Sequence, residues 1–150
     1  MENRTITVNR KAYHDYIIED SIEAGLALKG TEVKSVREGK INIRDAYAKP
    51  RDGELWLVNA HISPYQGGNR YNHHPTRDRK LLLHKREIIK LASEVSQKGL
   101  TLVPLSVYFK NKHAKVELGL VRGRKVYDKR RAIIEREERR EAEKAMKSHR

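Results

Sequence analysis

Catalysis, metal binding or nucleotide binding would have to be built from a small set of residues in this chain: the carboxylates Glu23 and Asp45, seven histidines, and the glycine- and lysine-bearing stretch KGTEVKSVREGK. Each falls short of a working constellation. His73 and His74 are adjacent, while His61 and His84 fall on different predicted elements, so no pair has the spacing of metal ligands on one helix. KGTEVKSVREGK lacks the G-x-x-x-x-G-K-[ST] spacing that lets backbone amides wrap a phosphate. Glu23 and Asp45 could serve as acid and base, but strands carry such residues routinely on a wet face. No catalytic residues, metal or cofactor are expected. The stronger pattern is basic and aromatic. Lys34 and Arg37 share one short segment, Arg77, Arg79 and Lys80 precede LLL, and Lys110, Lys112 and Lys115 flank a predicted turn. Any one cluster could simply solvate a face. Together, with Tyr13, Tyr16, Tyr65, Tyr71 and Tyr108 available for stacking, they describe a surface that tracks phosphates.

Composition agrees with that chemistry. The chain has 150 residues, one ordinary domain, and 33 Lys and Arg against 20 Asp and Glu give a net charge of +13. Such a charge attracts polyanions, nucleic acid foremost. No apolar stretch approaches the roughly 20 residues of a membrane span and MENRTITVNRK has no signal-like apolar run, so a soluble, cytoplasmic protein with no membrane partner is expected. With no cysteine, disulfides and thiolate metal sites are excluded.

The elements that must position these residues read mostly as strands. Tyr16, Ile18, Ile22, Ala24, Leu26 and Leu28 share one parity, predicting a long half-buried strand in which Gly25 marks a bulge or bend. A short helix follows, with Thr31 as N-cap, Val33 and Val36 one turn apart and Gly39 at its end. KINIRDAYAK and ELWLVNAHI predict two strands joined by a PRDG turn. SPYQGGNRYNHHPTRDR, residues 63–79, reads as a long mobile surface loop. HKREIIKLASEVSQKG predicts a helix with Ile88, Leu91, Ala92 and Val95 on one face and Gly99 at its C′ position. Val103, Leu105, Val107 and Phe109, then Val116, Leu118 and Leu120, predict a second hairpin across NKH. The expected fold is mainly β: a small antiparallel barrel of the oligonucleotide-binding kind, with five or six strands and two or three short helices.

Past Gly123 the pattern changes. Residues 121–150 hold 12 basic and 6 acidic residues, so a fifth of the chain carries nearly half of its net charge. A division into a barrel, 1–123, and a basic tail, 124–150, is expected. From Arg131 to Lys147 there is neither Pro nor Gly, and Glu135–Arg139 and Glu143–Lys147 are i, i+4 pairs in the favourable order. At ~0.2–0.5 kcal/mol per pair such a helix is marginal alone. The tail is expected to be disordered when free and helical when enclosed by RNA.

Three blocks, NRKAYHDYIIEDSIEAGLALKGTEVKSVREGKINIRDAY, PTRDRKLLLHKREI and GLVRGRKVYDKR, resemble the signature blocks of one family in the family's order: the SsrA-binding proteins, or small protein B, partners of transfer-messenger RNA. The resemblance covers residues 9–150. It implies an oligonucleotide-binding-like barrel, monomeric when free, that grips the tRNA-like domain of transfer-messenger RNA. It further implies delivery to stalled ribosomes for trans-translation, with the tail in the empty decoding region of the small subunit. Carried over residue by residue, the RNA-binding set is Asn9, Glu23, Gly25, Lys34, Arg37, Arg79, Lys80, Leu82 and His84. His84 departs from members that have Asn there. In the tail, Asp128, Lys129 and Arg130 match the family's DKR, and Ile133, Ile134 and Met146 resemble its apolar anchors. Two other classes fit the charge alone: a ribosomal protein or general RNA chaperone, which would prefer unstructured RNA, and an RNA-processing enzyme, which would need a base or metal.

Overall fold

The computed structural model describes residues 3–67 and 72–123. Its elements run β1 (Asn3–Val8), α1 (Arg10–Asp15), β2 (Tyr16–Leu26), α2 (Gly30–Arg37), β3 (Ile41–Asn42), β4 (Tyr47–Arg51), β5 (Glu54–Val58), β6 (His61–Ile62), β7 (Arg79–Leu82), α3 (Lys85–Lys98), β8 (Thr101–Lys110) and β9 (His113–Gly123). The main sheet has the order β1-β8-β4-β5-β7-β2-β9, and β9 returns to β8. Strands β8, β4, β5, β7, β2 and β9 therefore close an antiparallel ring. One edge of β8 is shared, with β1 along Ser106–Lys110 and β4 at Leu102. The mainly β antiparallel barrel read from the sequence is the fold observed, with three helices where two or three short ones were expected.

Two bulges explain how strands this long can serve two cores. In β2 the register against β9 shifts between Ile18 and Asp20; in β8 it shifts between Pro104 and Ser106. A bulge adds one residue to one strand, so side chains of equal parity on its two sides point to opposite faces. Tyr16 and Ile18 thus join Ala12, Val103, Leu105 and Val121 in a small outer core beneath α1. Beyond the bulge, Ile22, Ala24 and Leu26 turn into the barrel interior with Leu55, Leu57, Leu81, Val107, Val116 and Leu118. The bulge in β2 lies at Glu19 rather than at Gly25. Gly25 is regularly paired on both sides, with Leu82 of β7 and Lys115 of β9.

The N-terminal β1 and α1 were not anticipated. Six residues have little intrinsic helicity; α1 persists because Asn9 caps it and Ala12 is buried under it. The predicted PRDG hairpin forms as β4–β5, with Asp52 and Gly53 both at positive φ, as a tight two-residue turn requires. Each of its two predicted strands is broken, however. Ile41–Asn42 and His61–Ile62 leave the barrel and pair with each other in a separate two-stranded sheet. Helix α2 is capped at Lys29, whose amide donates to Glu32 Oε1 at 2.8 Å; Thr31, expected as the cap, instead bonds His73. Gly39 and Gly99 follow their helices at positive φ as expected.

Candidate nucleic-acid interface

A row of paired residues crosses the outer face of the barrel: Leu82 on β7, Gly25 on β2, Lys115 on β9 and Tyr108 on β8. Glu23 lies on the same face of β2, two residues before Gly25. Where β7 hands over to α3, Leu83 and His84 form a corner, and with Glu23, Gly25, Leu82, Glu87 and Lys115 they line an open depression of about 450 Å³. Four of the residues expected to bind RNA, Glu23, Gly25, Leu82 and His84, are thereby brought together from segments some sixty residues apart. Leu82 is 52% exposed and lies against Gly25. A Cβ at Gly25 would stand 3.0 Å from Leu82 Cβ and 3.3 Å from its Cδ1, so glycine is what permits Leu82 to lean across β2.

Glu23 is held by its neighbours. The Tyr108 hydroxyl donates to Glu23 Oε2, and Lys110 Nζ stands 3.6 Å from Oε1. That hydroxyl, with Lys110 and Lys115 nearby, keeps the Glu23 carboxyl below its usual range despite some desolvation. Burial, and then the same hydrogen bond, push the Tyr108 phenol well above its ordinary value, so it remains a donor. Glu23 also sits directly opposite Glu117 across the β2–β9 pair. Like charges in that relation destabilise a sheet by some tenths of a kcal/mol.

Other expected residues do different work. Arg79 is fully buried: its Nε donates to Glu32 Oε2 at 2.6 Å and its guanidinium to the carbonyls of Ala60 at 2.6 Å and Pro75 at 3.0 Å. It offers no phosphate contact at the surface, which corrects the expectation that Arg79 and Lys80 act alike. Glu32, also fully buried, takes a second bond from Arg77. Burial alone would raise Glu32, but the bonds from Arg77, the Lys29 amide and Arg79 bring it below the ordinary range. His73 is buried too, its Nε2 donating to the Ile62 carbonyl at 2.9 Å and its Nδ1 meeting the Thr31 hydroxyl at 2.8 Å. The described C-terminal half of the 63–79 loop is thus pinned to α2 and β6 rather than lying free on the surface. Asn9, 4% exposed, is likewise structural: it accepts from the Ala12 amide and donates to the carbonyls of Ile43 at 3.1 Å and Pro104 at 2.9 Å.

Lys80 does face outward, pairing with Trp56 across β5–β7 and standing 3.5 Å from Glu54. Lys34 lies over the Tyr65 ring at 5.3 Å and Arg37 over Phe109 at 5.8 Å, both on α2 and away from the Glu23 depression. Asp45 binds Lys11 at 2.7 Å and lines a different depression from Glu23, so the two carboxylates form no acid–base pair. Among the described residues no group of three or more potential ligands could hold a metal ion, and no helix is long and apolar enough to cross a membrane. Tyr71, Asp128, Lys129, Arg130, Ile133, Ile134 and Met146, and the tail division at 124–150, lie outside the described residues.

The sequence reading missed Tyr108 as the partner of Glu23 and Trp56 as a neighbour of Lys80. Hairpin register finds only the partner of each on its own hairpin, because Glu23 and Lys80 lie on strands that non-local pairing brings alongside. A two-residue turn at Asn111–Lys112 sets Lys110 opposite His113 and hence Tyr108 opposite Lys115, and the turn at Asp52–Gly53 sets Trp56 opposite Lys49.

A closed antiparallel barrel bearing lysines, a fixed carboxylate and an exposed leucine on its outer strands places this chain in the class of small β-barrel RNA-binding proteins. The family model described as SmpB protein matches residues 6–148, and the chain belongs to that family. It is 59% identical over 145 residues to the SsrA-binding protein of Carboxydothermus hydrogenoformans, covering 97% of each chain. It is 56% identical over 146 residues to the SsrA-binding protein of Geobacillus kaustophilus, covering 97% of this chain and 94% of that one. Among solved structures it resembles a chain of "tmRNA-SmpB: a journey to the center of the bacterial ribosome", with a TM-score of 0.66 and 55% identity over 78% of this chain and 82% of the other.

Proposed function

We infer that this protein binds transfer-messenger RNA, the SsrA RNA, through its tRNA-like domain and delivers it to stalled ribosomes for trans-translation. The observation that carries the reading is the corner of Glu23, Gly25, Leu82 and His84, assembled by a barrel whose family members are SsrA-binding proteins. Lys80 supplies positive charge beside that corner, and Lys34 and Arg37 form a separate basic patch on α2, while Arg79 and Asn9 act from within by fixing β7 and α1. The work is recognition and positioning rather than catalysis, and it places the protein in the cytoplasm with the ribosome. Residues 124–150 act as the second functional unit, ordering as a helix in the empty decoding region, where Asp128, Lys129 and Arg130 lead and Ile133, Ile134 and Met146 anchor.

A competition experiment tests the reading against a general RNA chaperone. In a mobility-shift assay with the labelled tRNA-like domain, unlabelled tRNA-like RNA should displace the complex at concentrations at least tenfold below those needed for unstructured RNA of equal length. Equal competition would exclude recognition of a folded RNA elbow and favour the chaperone.

A further inference from the structure

A carboxylate is a costly thing to keep on the phosphate-facing side of a protein with a net charge of +13, because it repels the backbone it must meet. Glu23 is kept there, opposite a second acid, and is held in one orientation from two strands away. Tyr108 belongs to β8 and Glu23 to β2; β9 lies between them, and the phenol spans it to reach Oε2. Resting on the RNA-binding reading above, we propose that Tyr108 is a positioning residue that fixes Glu23 as an acceptor for an amino or imino N–H of an unpaired base lodged against Leu82.

The chemistry of the groups leads there. An ionised carboxylate only accepts hydrogen bonds, so phosphate oxygens, base carbonyls and ring nitrogens without a proton cannot satisfy it. The N–H groups on a base edge can: the ring imino N–H and the Watson–Crick amino proton are free only where the base is unpaired, whereas a 2′-hydroxyl or a second amino proton, displayed by duplex and loop alike, would not distinguish the two. Tyr108 occupies Oε2, and because a phenol has one proton, spent on that bond, the pair has a defined polarity. Oε1 meets Lys110 Nζ only at 3.6 Å, too long for a good hydrogen bond, and so keeps its acceptor capacity. The neighbouring surface suits a base face: Leu82 is exposed and leans over a strand residue with no side chain. Without the phenol, Lys110 and Lys115 would be left to draw the carboxylate toward themselves. The low-lying titration of Glu23 and the raised one of Tyr108 agree with a persistent bond.

The test is a double-mutant cycle of Tyr108→Phe and Glu23→Ala on the full chain. For each variant the affinity for the tRNA-like domain is divided by the affinity for a perfectly paired RNA duplex of equal length, which presents phosphates but no unpaired base. Glu23→Ala should lower this ratio by more than about tenfold, the range for losing a bond to a charged group, and Tyr108→Phe, which frees the acceptor to move without removing it, by roughly threefold to tenfold. Duplex affinity should hold or rise, and thermal midpoints should stay within about 2 °C of the parent, since neither side chain belongs to the interior cluster. The double variant should be no worse than Glu23→Ala alone. An unchanged ratio for Tyr108→Phe, or losses that multiply in the double variant, would overturn the positioning role while leaving the RNA-binding reading intact. A parent protein that shows no preference for the tRNA-like domain over the duplex would instead remove that reading, and this inference with it.

Discussion

Buried charge concentrates at Glu32, which receives Arg79 at 2.6 Å and a second guanidinium from Arg77. Replacing one partner of such a group strands the others, because the remaining charges lose their counter-ion but stay out of water. Glu32→Gln should therefore destabilise the protein by roughly 3–5 kcal/mol in urea unfolding. The sign of its pH dependence follows from its lowered titration. The carboxyl binds protons more weakly folded than unfolded, so its full contribution is present above the unfolded value of about 4.3 and is lost as pH falls toward the lower folded value. Unfolding measured between neutral pH and pH 3 should show the parent losing stability below that point more steeply than Glu32→Gln. Equal slopes would mean that Glu32 titrates normally.

At the scale of elements, the least expected is α1, six residues long and held almost entirely by the residue before it. Asn9→Ala removes a helix cap and leaves the Ile43 and Pro104 carbonyls without their donor. The cap alone is worth about 0.5–2 kcal/mol, and with the two orphaned carbonyls the loss should be about 2–4 kcal/mol in urea unfolding. Affinity for the tRNA-like RNA, measured where the variant is fully folded, should stay within about twofold of the parent. A tenfold loss of affinity with normal stability would put Asn9 back among the RNA-contacting residues. Local pattern made β2, β4, β5, β8, β9 and the two longer helices legible, but neither β1 nor β7. Alternation reports that a strand has a buried face, and it did so correctly for Tyr16–Leu26 and Thr101–Lys110. It cannot report which core each residue faces, because a bulge at Glu19 or Leu105 reverses the faces without disturbing the alternation. Glu23, Gly25, Leu82 and His84 were legible because family resemblance named them. Arg79 misled because a basic residue beside Lys80 looks like its neighbour; only the fold reveals that one points inward to Glu32 and the other out toward Glu54.

For the whole molecule, the proposed division of labour predicts that barrel and tail separate cleanly. Residues 128–150 are mostly charged, with Ile133, Ile134 and Met146 as their only large apolar residues, so on their deletion the urea midpoint should be unchanged. Affinity for the isolated tRNA-like RNA should fall only modestly, by the loss of a positive field that salt screens over about 8–10 Å. Tagging of polypeptides on stalled ribosomes in a reconstituted translation reaction should collapse, and alanine at Asp128, Lys129 and Arg130 together should reproduce most of that collapse. Normal tagging by the truncated chain, or loss of most RNA affinity, would refute the division. The β2–β9 pair sets the scale on which the two units can cooperate. Gly25 pairs with Lys115 at one end of the ribbon, Tyr16 pairs with Gly123 at the other, and the tail leaves the barrel from that second end. Eight steps of β9 separate the ends, from Lys115 to Gly123, about 26 Å at ~3.3 Å per residue, the extra residue of β2 being taken up by its bulge. The ribbon is a measuring rod: it fixes the interval between what the corner holds and where the tail can begin, so the protein would act as a gauge block between two RNAs, its length as much a part of its function as either surface.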